Sequence, residues 1–432
     1  MRVLLTASLV LTLAACGSTS HGPDESAHPN AGGGNSSGDA GSEQVLPAGG
    51  ASGSTGSVEG GSANAAGGDM NTAGGDMTVA QAGKAGDPIS PPPANPCVAD
   101  GTCPLDTWVN VTPMGIQIPD EGLRSVVADP KRASDFYMAA GAAGIWKSGD
   151  YGGSWKKINE GFGYVSQGLC LAVLPSEPRT ILVAASCGCG QVHKSVDGGA
   201  TFTTVGGGLP TDLYSFEVDP GKPNHLISGF HEKDGIAEST DAGDSWHVVG
   251  GAGFPSGGVS WFPTFIDTGD AETTSKTWLA IAQNGGSPAI THDSGATWVV
   301  PTGLEGLTHP HGNAQIFQRG GNIFVAGGGG PGDGVYMSAD GGKSFKRVSS
   351  TSAAVVWGTP NHVYSMFAWS CFGCTIDPKF QIASAKGDSW AESAVPATML
   401  MGADHVAVSK DADHYVFVSA MRSTGIWRYV EK

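Results

Sequence analysis

An eight-residue pattern of the form Ser/Thr-x-Asp-x-Gly-x-Ser/Thr-aromatic recurs five times in the C-terminal three-quarters of this 432-residue chain. The copies run Ser148 to Trp155, Ser195 to Phe202, Ser239 to Trp246, Thr291 to Trp298 and Ser338 to Phe345. Their acidic residues are Asp150, Asp197, Asp241, Asp293 and Asp340, so consecutive copies stand 44 to 52 residues apart. A period of that length built from short strands is the signature of a propeller blade. The pattern's composition follows from a tight turn between two strands. The Asp accepts backbone N–H bonds inside the turn, the Gly permits positive φ, and the aromatic plugs between neighbouring sheets. These five Asp residues are therefore expected to be structural and not catalytic.

The segments around each copy read as four short strands. In the first repeat they are Leu123 to Asp129, Phe136 to Ala140, Gly144 to Ser148 and Ser154 to Ile158, with the turn between the third and fourth. Five blades follow, at about 120–158, 165–205, 212–249, 259–301 and 312–349. A sixth, at 353–395, keeps the strand-turn-Trp register, but its turn is worn to Ser384-Ala385-Lys386-Gly387-Asp388-Ser389-Trp390. The chain then offers three more strands, His405 to Ser409, Tyr415 to Ser419 and Gly425 to Val430, and no fourth. The missing strand is at the other end, where Asp106 to Thr112 reads like Ser154 to Asn159. Pairing the two ends closes the ring and removes exposed sheet edges. The expected fold is an all-β, seven-bladed β-propeller spanning 97–432, with six blades as the alternative if the worn sixth and the split seventh are parsed differently.

The N-terminal quarter is different. Residues 1–15 have a charged Arg2, an apolar run from Val3 to Leu13 and small residues at Ala14-Ala15, which is a secretory signal too short to span a bilayer. Leu13-Ala14-Ala15-Cys16 resembles the bacterial lipobox, which implies acylation of Cys16 and anchoring by the acyl chains; Gly17-Ser18 after it favours the outer membrane or cell surface. Residues 16–95 are rich in Gly, Ser, Ala, Asn, Pro and Asp and nearly free of aromatics, so they bury too little apolar surface to fold. They read as a tether. The net charge of −17 argues against nucleic acid and against direct contact with anionic lipid, which leaves the lipid anchor as the membrane contact.

An exported chain meets an oxidising compartment. Cys97 with Cys103, and Cys371 with Cys374, are close enough in sequence for local disulfides. Cys170, Cys187 and Cys189 are an odd set, in which Cys170 pairs with one of the other two and the sequence leaves open which.

The repeated turns, with inner strands ending in Asp129-Pro130 and Asp219-Pro220, resemble the Asp-box (BNR-repeat) propellers. That group includes sialidases, two-propeller xyloglucanases, sortilin-like domains and a photosystem II assembly propeller. The resemblance covers about 325 residues and speaks to fold, since one fold hosts many functions. A sialidase would carry an Arg-Ile-Pro motif in the first blade and three Arg residues for a carboxylate. The motif is absent, and of the propeller's Arg residues only Arg124 and Arg422 fall near the functional face. The xyloglucanase arrangement takes one catalytic Asp from each of two propellers, and a sortilin-like tunnel takes ten blades. One propeller of this length builds neither.

In this superfamily the boxes lie opposite the binding face. The loops of that face contain His231, Glu232 and Asp234 in blade three, His309 and His311 before blade five, Asp333 in blade five, Trp369 in blade six, and Asp404 and Arg422 in blade seven. His309-x-His311 with the nearby carboxylates is a weak metal pattern, since its ligands would come from different blades, and no metal is assigned. Glu232, Asp234, Asp333 and Asp404 offer carboxylates for glycoside hydrolysis, but no spacing selects a pair. Trp261, Phe254 and Trp369 are the only candidates for sugar stacking, and each reads first as a packing residue. There is no Rossmann or P-loop glycine pattern, and no cofactor is implied. The expected function is binding of a polysaccharide or protein partner in the cell envelope, with a glycan-active hydrolase as the alternative.

Overall fold

The computed structural model describes residues 92–116, 125–160, 169–185, 191–206, 209, 212–231, 233–257, 260–283, 286–307, 309, 315–328, 332–367, 377–421 and 425–432. They form seven antiparallel sheets arranged as a seven-bladed β-propeller. Blade one consists of Ser125–Ala128, Phe136–Ala139, Ile145–Ser148 and Lys156–Asn159, paired in that order. Blades two, three, five and six repeat the four-strand order, each with its inner strand first in sequence. Blade seven is assembled from both ends of the chain. Its strands Ala403–Lys410, Tyr415–Met421 and Gly425–Val430 are completed by Val109–Asn110, in the register Val109 opposite Arg428 and Asn110 opposite Trp427.

Blade four differs. It has three strands, Ser260–Phe265, Trp278–Gln283 and Ala289–Thr291, and its fourth is reduced to one bridge between Ile290 and Val299. Pro301 follows two residues later and has no N–H with which to extend the pairing.

Strands one and three of a blade run the same way, so the turns joining one to two and three to four share one end of the ring. The repeated turn sits there in every copy. Its first hydroxyl donates to the Asp carboxylate over 2.7–2.9 Å. The same oxygen accepts the N–H of the turn's Gly at 2.8–2.9 Å. The N–H of the seventh residue donates to the Asp at 2.8–3.0 Å. These donors hold the carboxylates of Asp150, Asp197, Asp241, Asp293 and Asp340 below their usual range, against the burial that pushes up Asp150 and Asp241.

The glycine has a second reason to be invariant within the chain. At Gly295, φ is +81° and an added Cβ would lie 2.4 Å from Val249 Cγ1 of the preceding blade. The other copies meet the preceding blade in the same way, and so does Gly387 of the worn sixth turn, whose Cβ would lie 2.2 Å from Phe324 Cε1. The residue is glycine because the backbone of one blade touches the side chains of the next. In the sixth turn Asp388 has moved two places later and accepts the Ser384 hydroxyl. Trp390 Nε1 still donates to Gly387 O at 2.9 Å, as Trp246 does to Gly243 O at 3.0 Å.

The chain leaving one blade straps the repeated turn of the next. Ala252 N donates to Ala296 O (3.0 Å), and Ala252 O accepts from Trp298 N (2.9 Å); Phe345 N donates to Thr302 O (2.8 Å). Between the blades lie apolar clusters. The largest, at the blade six to seven seam, packs Trp108, Trp357, Tyr364, Phe380, Phe417, Trp427 and Tyr429. The N-terminal segment closes the ring over blades seven and one. Cys97 and Cys103 form a disulfide, and Tyr151 Oη donates to Pro93 O at 2.5 Å. Val98, Cys103 and Leu105 pack with Trp155 on the adjoining core. Cys16 and the segment 1–91 lie outside the described residues, as do Cys187, Cys189, Cys371 and Cys374. Cys170 is buried, with Ala184 O at 3.5 Å from its sulfur.

Candidate functional site

The other end of the ring carries the loops joining strands two to three and the connections between blades. Glu232, His311, Trp369 and Arg422 lie outside the described residues. His231, Asp234, His309, Asp333 and Asp404 are described, and the structure brings the first three to one region.

That region is a seam across the heads of blades three, four and five. Blade three's second strand ends at Gly229, and Phe230 and His231 continue it. His231 N donates to Asp212 O at 2.9 Å, and the backbone of His231 bridges to Ser260, the first residue of blade four's inner strand. His231 Nδ1 lies 3.5 Å from Asp212 Oδ2, with both side chains buried. Tyr214 stacks at 4.7 Å from the His231 ring and 5.1 Å from Phe262, and Phe262 stands 5.7 Å from His309. His309 donates from its backbone to Ala282 O, and its Nε2 meets Ala354 O of blade six at 2.6 Å. The four rings of this ladder are all under 5% exposed.

Gln283 sits within the same seam. It is the last residue of blade four's second strand, opposite Ser260 and bridged to His309. Its side chain is 2% exposed, and its Oε1 is buried with no hydrogen-bond donor. Every other residue of Trp278–Gln283 is apolar and buried. A polar group closing such a strand was the only sequence signal for this position. Asp212, Tyr214 and Phe262 gave none.

Asp234 is exposed at the rim of the seam. Its carboxylate accepts from Trp261 Nε1 at 3.3 Å and Gly257 N at 3.5 Å. Trp261 itself is fully buried, with Phe254 packed 4.6 Å from it, so both belong to the packing. Asp333 is apart from the seam, where it accepts the Ser352 hydroxyl and its carbonyl takes the Arg347 guanidinium. Asp404 is buried at a bulge in the inner strand of blade seven. The next residue, His405, contacts Val126 O of blade one at 2.9 Å, and burial lowers its pKa. Gln315 spans a blade: its amide donates to Val406 O (2.8 Å) and accepts from Val406 N (3.0 Å). Among the described residues no three His, Cys, Asp or Glu side chains gather as a metal site.

A second charged cluster lies at the repeated-turn end. His225 stands 2.9 Å from Asp219 and 2.8 Å from Glu238, and Ser275 of blade four donates to Asp219. Burial pulls the His225 imidazolium down, but the two carboxylates outweigh it and lift its pKa to about 9. Glu217, on the inner strand of blade three, has no such partner, and burial pushes its carboxyl up to about 8.

No family model matches the chain, and no curated protein matches it. Solved structures do. The GH74 xyloglucanase from Xanthomonas campestris superposes with a TM-score of 0.51 at 17% identity, over 74% of this chain and 53% of that one. An ancestral GH74 enzyme gives 0.53 at 15% identity, over 74% and 46%. YCF48 bound to D1 peptide gives 0.52 at 11% identity, over 76% and 97%. This chain thus spans about half the length of the two GH74 enzymes. At these identities the likeness is one of fold, and it defines the class as a β-propeller.

Proposed function

We propose that this protein is a lipid-anchored binding module of the cell envelope, held at Cys16, tethered by residues 16–95 and engaging a polymer or protein partner through the face opposite the repeated turns. The observation that carries this reading is how three described carboxylates of that face are used. Asp212 faces His231, Asp234 is taken by Trp261 and Gly257, and Asp333 by Ser352. A hydrolase needs two carboxylates facing each other across a scissile bond. Carboxylates tied into the scaffold set shape and charge instead. The fold neighbours include a propeller bound to a peptide, which suits a protein partner, and xyloglucanases, which suit a glycan.

The test is a thermal-shift panel of polysaccharides, oligosaccharides and peptides on the full chain, with reducing-sugar release assayed in parallel. A shift without sugar release supports the binding module. Sugar release abolished by Asp333→Asn or Glu232→Gln would replace it with a glycoside hydrolase.

A further inference from the structure

A buried acceptor without a donor costs about 1–3 kcal/mol, and the great majority of such groups in folded proteins are satisfied. Gln283 Oε1 is such an acceptor, and it lies in the seam that joins blades three to five, not in the repetitive packing below it. Around it the field is negative. Asp212 is buried beside His231, and Asp234 and Glu305 are exposed on the neighbouring connections. Against them Lys233 is the exposed cation of the described seam. The chain as a whole carries 40 acidic residues against 23 Lys and Arg. Among the described residues the exposed large apolar side chains are Met114, Val196, Val248, Val299, Val300 and Leu400, with no aromatic in the set. Sugar rings bind on flat aromatic faces, and the aromatic rings of the described part of this surface are buried or half-buried.

We infer that the ligand of this face is a basic peptide segment, and that Gln283 is a recognition residue whose carboxamide oxygen accepts from an arginine or lysine side chain of that segment. The inference rests on the binding reading given above and narrows it to one ligand class. A planar guanidinium suits the site because it brings several donors in a fixed fork to a single acceptor.

The probe is octa-arginine, titrated calorimetrically into the full chain, with a neutral xyloglucan oligosaccharide as comparison. The expected result is salt-sensitive binding of the peptide and none of the oligosaccharide. Gln283→Leu should weaken the peptide about tenfold or more while leaving the thermal midpoint unchanged or higher, since it removes an unsatisfied buried group. Asp234→Asn should weaken it several-fold, and Asp413→Asn, at the opposite end of the ring, should not. Full affinity in Gln283→Leu, or a fall in its midpoint that accounts for the loss, would mean that the amide is structural and overturn the assignment. Failure of octa-arginine to bind also overturns it. If the oligosaccharide binds in that case, the binding reading stands and only its ligand class changes.

Discussion

The two ends of the ring are built on different rules. At one end, five turns repeat the same three hydrogen bonds to within a few tenths of an ångström, and each glycine touches the blade before it. At the other end the contacts among the described residues differ from blade to blade. Blade three bridges to blade four through His231, blade five reaches blade six through His309, and Gln315 reaches past blade six to blade seven. The repeated end is where the sequence solves the same packing problem over and over. The irregular end is where residues are released from that problem, and there Gln283 keeps a buried acceptor that no donor meets. Within one architecture, repetition marks stability and its interruption marks candidate function.

That contrast can be broken by mutation. The largest effect is expected at the glycines. Gly295→Val combines a positive φ with a clash against Val249, and should cost about 3–5 kcal/mol or abolish folding, read by chemical denaturation. Next is His225. Its folded pKa of about 9 lies above the ordinary value, so its stabilising contribution is complete below about pH 6.5 and is lost as pH rises through about 9. His225→Gln should therefore cost about 2–3 kcal/mol at pH 6 and much less at pH 10. Glu217 shifts stability in the same direction with pH, although burial alone and no partner raises it. Its carboxyl is raised to about 8, so stability is retained below the ordinary carboxylate range and falls as pH climbs toward 8. Glu217→Gln should raise the midpoint by about 1–2 kcal/mol in equivalent stability at pH 8 and leave it unchanged at pH 4, allowing for its partial contact with water. Thr291→Val removes the hydroxyl that accepts from Gly295 and donates to Asp293, and should cost about 1–2 kcal/mol. Lys233→Ala, on the irregular end, should change stability by less than about 0.5 kcal/mol.

The fold was legible in the sequence for the same reason that the repeated end is regular. The Ser/Thr, Asp, Gly and aromatic positions are fixed by one turn geometry, so they recur at a constant spacing and count the blades. Even the split seventh blade could be read, because Trp108-Val109-Asn110 keeps the register of Trp155-Lys156-Lys157. Blade four's shortened outer edge was not legible, since Trp298-Val299-Val300 has full strand character and stops pairing only after Val299. The site was read in part. His231, Asp234 and His309 stood out as polar residues in loops, and they do meet in one seam. Asp212, Tyr214, Phe262 and Gln283 belong to it as well, but nothing periodic marks them. Their meeting is created by four connections from separate blades, and single-chain spacing carries no trace of that.

Hydrogen exchange of the full chain, with and without whichever panel ligand raises its thermal midpoint, tests most directly which end of the ring binds. New protection is expected at the backbone of Lys233 to Gly235, at Gly257 and around Gln283, with no change in the turns holding Asp197, Asp293 and Asp340. Protection confined to those turns, with the seam unchanged, would place the binding face at the repeated end and contradict its assignment to the seam.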